Sequence, residues 1–241
     1  QALARLAEDT GAELEKPAKL YIYANAQDLR GAMIYPQEWT GGVAFTRYGT
    51  IAIGIAPHRL DWGKRAIAHE LTHLVIHQMT LNPYGGLPTW LDEGLAMHTE
   101  GALEPVFAAH LNRAIAENSL ISVRSLSSPF SAYAKESYLS YAQSYSLVEF
   151  LISNYGQGKM LELLNTFREG SSYDGALDKV YGFDMDGLDA LWRNYVTEQS
   201  ESTEVAVAVI PPPLIGVLAA LATALLLVLG LAAESWAWRR G

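Results

Sequence analysis

Cysteine is absent from the 241 residues, which removes disulfide frameworks, zinc-thiolate sites and cysteine nucleophiles together. Any metal must then be held by His and carboxylates. Clusters of Lys and Arg are missing until the last residues, and 26 acidic against 17 basic residues leave a formal charge of −9. Nucleic acid is therefore not an expected partner, because its binding rests on neutralising phosphates. No internal repeat is visible. Half of the residues are apolar, enough to bury a core, and the length suits one globular domain plus an appendage.

Charge itself is missing from residues 214–233, a stretch rich in Leu, Ala and Val. As a helix it would rise about 30 Å, the hydrocarbon thickness of a bilayer, and it lacks the polar stripe of a soluble helix. Trp236 and Trp238 suit the interfacial belt, and Arg239 and Arg240 suit the cytoplasmic side. The expectation is a single C-terminal transmembrane helix over 214–233 with a cytoplasmic tail at 234–241. The stretch 198–213, acidic and then Pro-rich, reads as a linker, and residues 1–197 as the main domain, outside the cell membrane. No charged segment followed by an apolar one opens the chain at Gln1, so export is expected on the strength of the tail alone.

Apolar spacing predicts a helix over 2–15, a strand over 19–24 and two further strands over 43–46 and 50–55 joined at Tyr48-Gly49. The last strand is almost wholly apolar or small. Helices are predicted over 64–79, from Thr89 as N-cap to Thr99 before Gly101, and over 104–117, 136–154, 158–169, 172–181 and 186–197. Gly156, Gly170 and Gly182 punctuate the later ones.

His69-Glu70-Leu71-Thr72-His73 falls inside the first long helix. Four residues turn a helix by about 400°, so both imidazoles lie on one face, one above the other, and can reach a single metal ion. Catalytic zinc takes three protein ligands and a water, and a Glu beside the first His can accept a proton from that water. His69 and His73 are thus expected as ligands and Glu70 as catalytic base. A second helix follows with Trp90-Leu91-Asp92-Glu93-Gly94-Leu95-Ala96, in which Glu93 lies twenty positions after His73.

With these residues the sequence resembles the gluzincin metallopeptidases of the peptidase MA type. Their third zinc ligand is a Glu about twenty positions on, in a neighbouring helix. The Glu93-Gly94-Leu95-Ala96 segment is similar to that helix in membrane-associated, aminopeptidase-like members. The resemblance covers roughly residues 20–197, including the run from Tyr141 to Ser146. It implies an α+β, zincin-like domain with a small N-terminal mixed sheet packed on the motif helix and a helical C-terminal half. It further implies one Zn2+ ion, Glu93 as third ligand, and an edge strand within 42–55 that pairs the substrate backbone.

Around this core, Asp92 points about 100° away from Glu93, which makes it a candidate to support a ligand or to cap. Thr72 either supports the site or is simply packed. His77 continues the His69 and His73 face one step further and is expected in the core or the pocket wall. His58, His98 and His110 are expected to be structural or exposed, with His98 alone a candidate to lie near the metal. An oxyanion donor is also required, and Tyr133, Tyr138, Tyr141 and Tyr145 are the candidates. Tyr141 is the choice among them, with Leu147, Phe150 and Leu151 as core of the same helix.

The expected function is a membrane-anchored, zinc-dependent peptidase that hydrolyses peptide bonds with metal-activated water and Glu70 as general base. Its partners would be a peptide or protein substrate and, through 214–233, the lipid bilayer. No exopeptidase motif appears near Gly41-Gly42, so endopeptidase and aminopeptidase action both stay open. The competing expectation is a catalytically inactive, membrane-anchored metal- or peptide-binding module of the same fold.

Overall fold

The structure is a computed structural model that describes residues 2–34, 36, 40–131 and 134–208. Two compact units divide the chain, Gln1–Tyr195 and Val196–Gly241, and the site lies wholly within the first.

The first unit opens with helix α1, Ala2–Thr10, shorter than the predicted 2–15 because Gly11 takes a left-handed φ of +69° and ends it. Strand β1, Lys19–Tyr23, follows, then a short helix α2, Ala26–Gly31, whose first turn is capped by the Asn25 side chain accepting from the Asp28 backbone N–H. Strands β2, Gly42–Phe45, and β3, Thr50–Gly54, complete a mixed sheet of order β1-β3-β2. β3 runs parallel to β1 and antiparallel to β2. Its run of apolar and small residues suits the central position, where Ile51 and Ile53 are fully buried. β2 is left as an edge strand beside the longest helix of the sheet half, α3, Leu60–Thr80.

Helices make up the rest: α4, Thr89–Glu100; α5, Pro105–Ala116; α6, Ala134–Tyr155; α7, Gln157–Arg168; α8, Tyr173–Tyr181; and α9, Met185–Ala208. α3 starts four residues before the predicted 64, just past a short turn at Pro57–Arg59. At α4 the cap is Pro88 rather than Thr89, whose hydroxyl donates to the Ser127 carbonyl instead. The core joins α3 (Leu74, Val75, Ile76), α4 (Leu91, Leu95) and α6 (Leu147, Val148, Leu151), all essentially without exposed surface. Each such side chain contributes about 1.5–3 kcal/mol through burial. α4 and α6 approach unusually closely at Gly94, where a Cβ would lie 2.4 Å from the Ser144 carbonyl oxygen. That contact fixes Glu93, one residue earlier, relative to Tyr141 on α6.

The α+β architecture, with a small mixed sheet and a mostly helical C-terminal region, is as expected. The transmembrane helix is not. Among the described residues no helix is long and apolar enough to cross a membrane. The stretch 214–233 lies outside the described residues, as do 209–213 and the tail 234–241. The length and apolar composition of the stretch, with its flanking Trp and Arg residues, carry that expectation, and no described helix supports it. The bilayer partner, the single-pass topology and the two-sided localisation are corrected with it. Of the second unit, the described part is the end of α9. The acidic stretch expected to be linker is helical as far as Ala208, its Glu, Ala and Val residues containing no proline before 211.

Candidate metal centre

α3 carries His69 and His73 one turn apart, with ring centroids separated by 4.8 Å and planes inclined by 77°. A carboxylate holds each ring from behind. His69 Nδ1 lies 2.8 Å from Glu100 Oε1, and His73 Nδ1 lies 2.9 Å from Asp92 Oδ1. An ionised carboxylate only accepts, so each Nδ1 carries the proton and the Nε2 lone pairs face the other way. There they meet Glu93 Oε2, 3.3 Å from His69 Nε2 and 3.7 Å from His73 Nε2. That oxygen is buried and makes no hydrogen bond. Potential donor atoms of the three residues all lie within 4.8 Å of one another, a group that could hold a metal ion. Three acceptors converging in a buried place repel unless a cation stands among them, and His with carboxylate suits a divalent transition metal.

Protons fill that role in the metal-free chain. Burial by itself would lower both imidazoles, but the hydrogen bond to Glu100 and the nearby charge of Glu93 raise His69 well above the usual histidine range. For His73 the charges of Asp92 and Glu93 outweigh burial and push it up to about 9. Asp92 would be raised by burial, yet the charges and hydrogen bonds of His73 and His77 hold it well below the usual carboxylate range.

Glu70 sits on the same helix but turns toward the sheet. It is buried against β2, where a Cβ on Gly42 would fall 2.8 Å from its Oε1, and the Ala44 backbone is hydrogen-bonded to it. Burial raises this carboxyl, and the charges of His69 and His73 only partly offset that. A carboxylate raised toward neutrality takes up a proton more readily than an ordinary glutamate.

Tyr141 enters from α6. Burial first, and then the nearby charges of Glu93 and Glu70, push its phenol far above its usual range, so it stays a hydrogen donor. Phe107 and Phe130 meet its ring edge-on. Two cavities, of about 290 and about 470 Å³, are both lined by Gly42, His69, Glu70 and Tyr141.

The remaining expected residues sort clearly. Asp92 supports His73, and His77 lies on the wall of the larger cavity with its Nε2 2.9 Å from Asp92 Oδ2. His73, His77 and Asp92 form a second group within metal-holding distance. Thr72 is packed, its hydroxyl donating to the Ala68 carbonyl. His98 pairs with Glu149 at 2.9 Å and lies against Tyr145, His110 packs edge-on to Tyr138, and His58 is exposed in the turn before α3. Tyr133 lies outside the described residues. Glu100 and its partner Arg65, 3.3 Å away, were not foreseen. Spacing could have found Glu100: seven positions past Glu93 is two helical turns, the same face of α4.

A helix presenting two imidazoles, a carboxylate from the next helix and a buried glutamate against a sheet edge together describe a metal-dependent peptidase. Residues 1–198 match the family model of the Peptidase MA superfamily, and the chain belongs to that superfamily. It is a metallopeptidase, a hydrolase of peptide bonds. No curated protein matches it. The function expected from the sequence is thereby corrected in one respect, since no membrane-crossing helix among the described residues supports the anchor.

Proposed function

We propose that the chain hydrolyses peptide bonds with one zinc ion held by His69, His73 and Glu93, Glu70 as general base and Tyr141 as hydrogen donor. The observation that carries this reading is the convergence of both Nε2 atoms on the buried Glu93 Oε2, which has no hydrogen bond. Zinc bound there would act as a Lewis acid on water and on the substrate carbonyl.

The protein groups do the rest. Asp92 and Glu100 hold the imidazoles with Nε2 directed at Glu93. Glu70 takes a proton from water as its oxygen adds to the carbonyl carbon, then passes that proton to the amine nitrogen as the C–N bond breaks. The Tyr141 O–H donates to the oxygen on which negative charge develops. β2, an edge strand whose Gly42 and Ala44 adjoin Glu70, offers backbone groups to an extended peptide.

The test compares the full chain with its Glu70→Gln variant for zinc content and for cleavage of a diverse peptide library. One zinc per chain in both is expected, with cleavage lower in the variant by about 10²–10⁴-fold. Zinc in both with equal, negligible cleavage would sink the peptidase mechanism and leave a binding module.

A further inference from the structure

Beside Glu70 lies the smaller cavity, and its walls come from separate parts of the fold: Trp62 and Ala66 on α3, Met97 on α4, Phe107 on α5 and Tyr138 on α6. Its volume of about 290 Å³ is at the lower limit for ligand pockets, room for one large side chain rather than a folded segment. It opens on His69, Glu70 and Tyr141, so whatever fills it is attached to the atoms being cleaved.

The walls are set rather than collapsible. A Cβ on Gly41 would come within 2.6 Å of the Trp62 ring, so only glycine lets the backbone before β2 lie directly on the indole. The Arg59 guanidinium lies 4.6 Å from the centre of the same ring. Phe107 meets Tyr138 edge to face at 5.2 Å and 73°.

Charge in this cavity is already matched. Glu100 is committed to His69 Nδ1 and to Arg65 Nε, and Glu104 lies 3.6 Å from Arg65 Nη2. An acidic side chain would meet three carboxylates, Glu70, Glu100 and Glu104, and a basic one would find Glu100 and Glu104 already paired with Arg65 and Glu70 hydrogen-bonded by the Ala44 backbone. A small side chain would leave the aromatic walls facing water.

We infer that this cavity is the subsite for one large apolar side chain, preferentially aromatic, carried by the residue at a fixed position next to the cleaved bond. The inference rests on the peptidase reading and deepens it. Ala66 is the specificity position with the clearest lever, because enlarging it fills the cavity from α3, three residues before the first proposed ligand.

Two measurements test it on the full, zinc-loaded chain. In the first, peptides varied at single positions are digested and the cut sites identified. Phe, Tyr, Trp or Leu should be favoured over Ala about tenfold or more at one position, and Ala66→Leu should shift that position toward small residues with zinc content unchanged. In the second, Glu70→Gln protein is titrated with peptides that differ only by Phe, Ala or Lys at that position, and the Phe peptide should bind about tenfold or more tighter than either. Cleavage without preference at any position overturns the subsite while the hydrolytic reading stands. So does a Lys or Arg preference abolished by Glu104→Gln. Selective binding of the Phe peptide without cleavage by the unaltered chain supports the subsite and sinks the hydrolytic reading. Neither cleavage nor selective binding overturns both.

Discussion

Asp92 and Glu100 do for the two imidazoles what sequence motifs seldom reveal: they choose the tautomer. Each carboxylate fixes a proton on Nδ1 and leaves Nε2 for a metal. Asp92→Ala and Glu100→Ala should therefore each weaken zinc affinity by about 10–100-fold, read by competition with a graded chelator. Unchanged affinity in both would mean that the rings are held by packing alone. Because His73 is raised to about 9 and His69 well above the usual range, zinc must displace protons from the metal-free chain at neutral pH. Calorimetry in buffers of different ionisation enthalpy should find net proton release near pH 7, and affinity that rises as the pH approaches 9. The same shift affects stability with the opposite trend. A His73 raised by folding stabilises the metal-free fold fully below its ordinary 6.5, and that contribution is lost as pH rises through about 9. Metal-free Tm should accordingly fall across that window, and a flat profile would contradict the raised value.

Two glycines set how the elements of the site meet, and they should fail differently. At Gly94 the added Cβ would strike backbone, the Ser144 carbonyl, so Gly94→Val should separate α4 from α6 and destabilise the fold by about 1–3 kcal/mol, measured by denaturant unfolding. At Gly42 the obstruction is the mobile end of Glu70, so Gly42→Ala should leave stability nearly intact while lowering kcat through the displaced base. Equal losses of stability in the two variants would refute that distinction. The elements also show which parts of the site could be read in advance. The meeting of His69 and His73 was legible because a four-residue step maps onto one helix face without knowledge of anything else, and Glu70 was singled out only as the carboxylate beside the first of them. Glu93 was legible by resemblance, but its meeting with the imidazoles depends on α3 and α4 packing side by side. Glu100 and Arg65 escaped because charged residues on a helix usually face water, and only the packed pair turns them inward. α2 has six residues, too few for a period to show, and Thr89 looked like a cap until its hydroxyl was found on Ser127.

Across the molecule, the proposed centre draws on several elements: β2 and α3 would supply the edge and the base, α4 the third ligand and α6 the phenol. A metal that joins α3 to α4 stabilises their packing in proportion to its affinity. Chelation should lower Tm measurably in the unaltered chain and not in a His69→Ala, His73→Ala double variant. The location of that metal separates two clusters in the structure, His69 with His73 and Glu93, and His73 with His77 and Asp92. Zinc-edge anomalous diffraction from crystals of the full chain decides between them. The proposed centre requires one peak within about 2.0–2.2 Å of His69 Nε2, His73 Nε2 and a Glu93 oxygen. A peak between His77 and Asp92, or none, would contradict it.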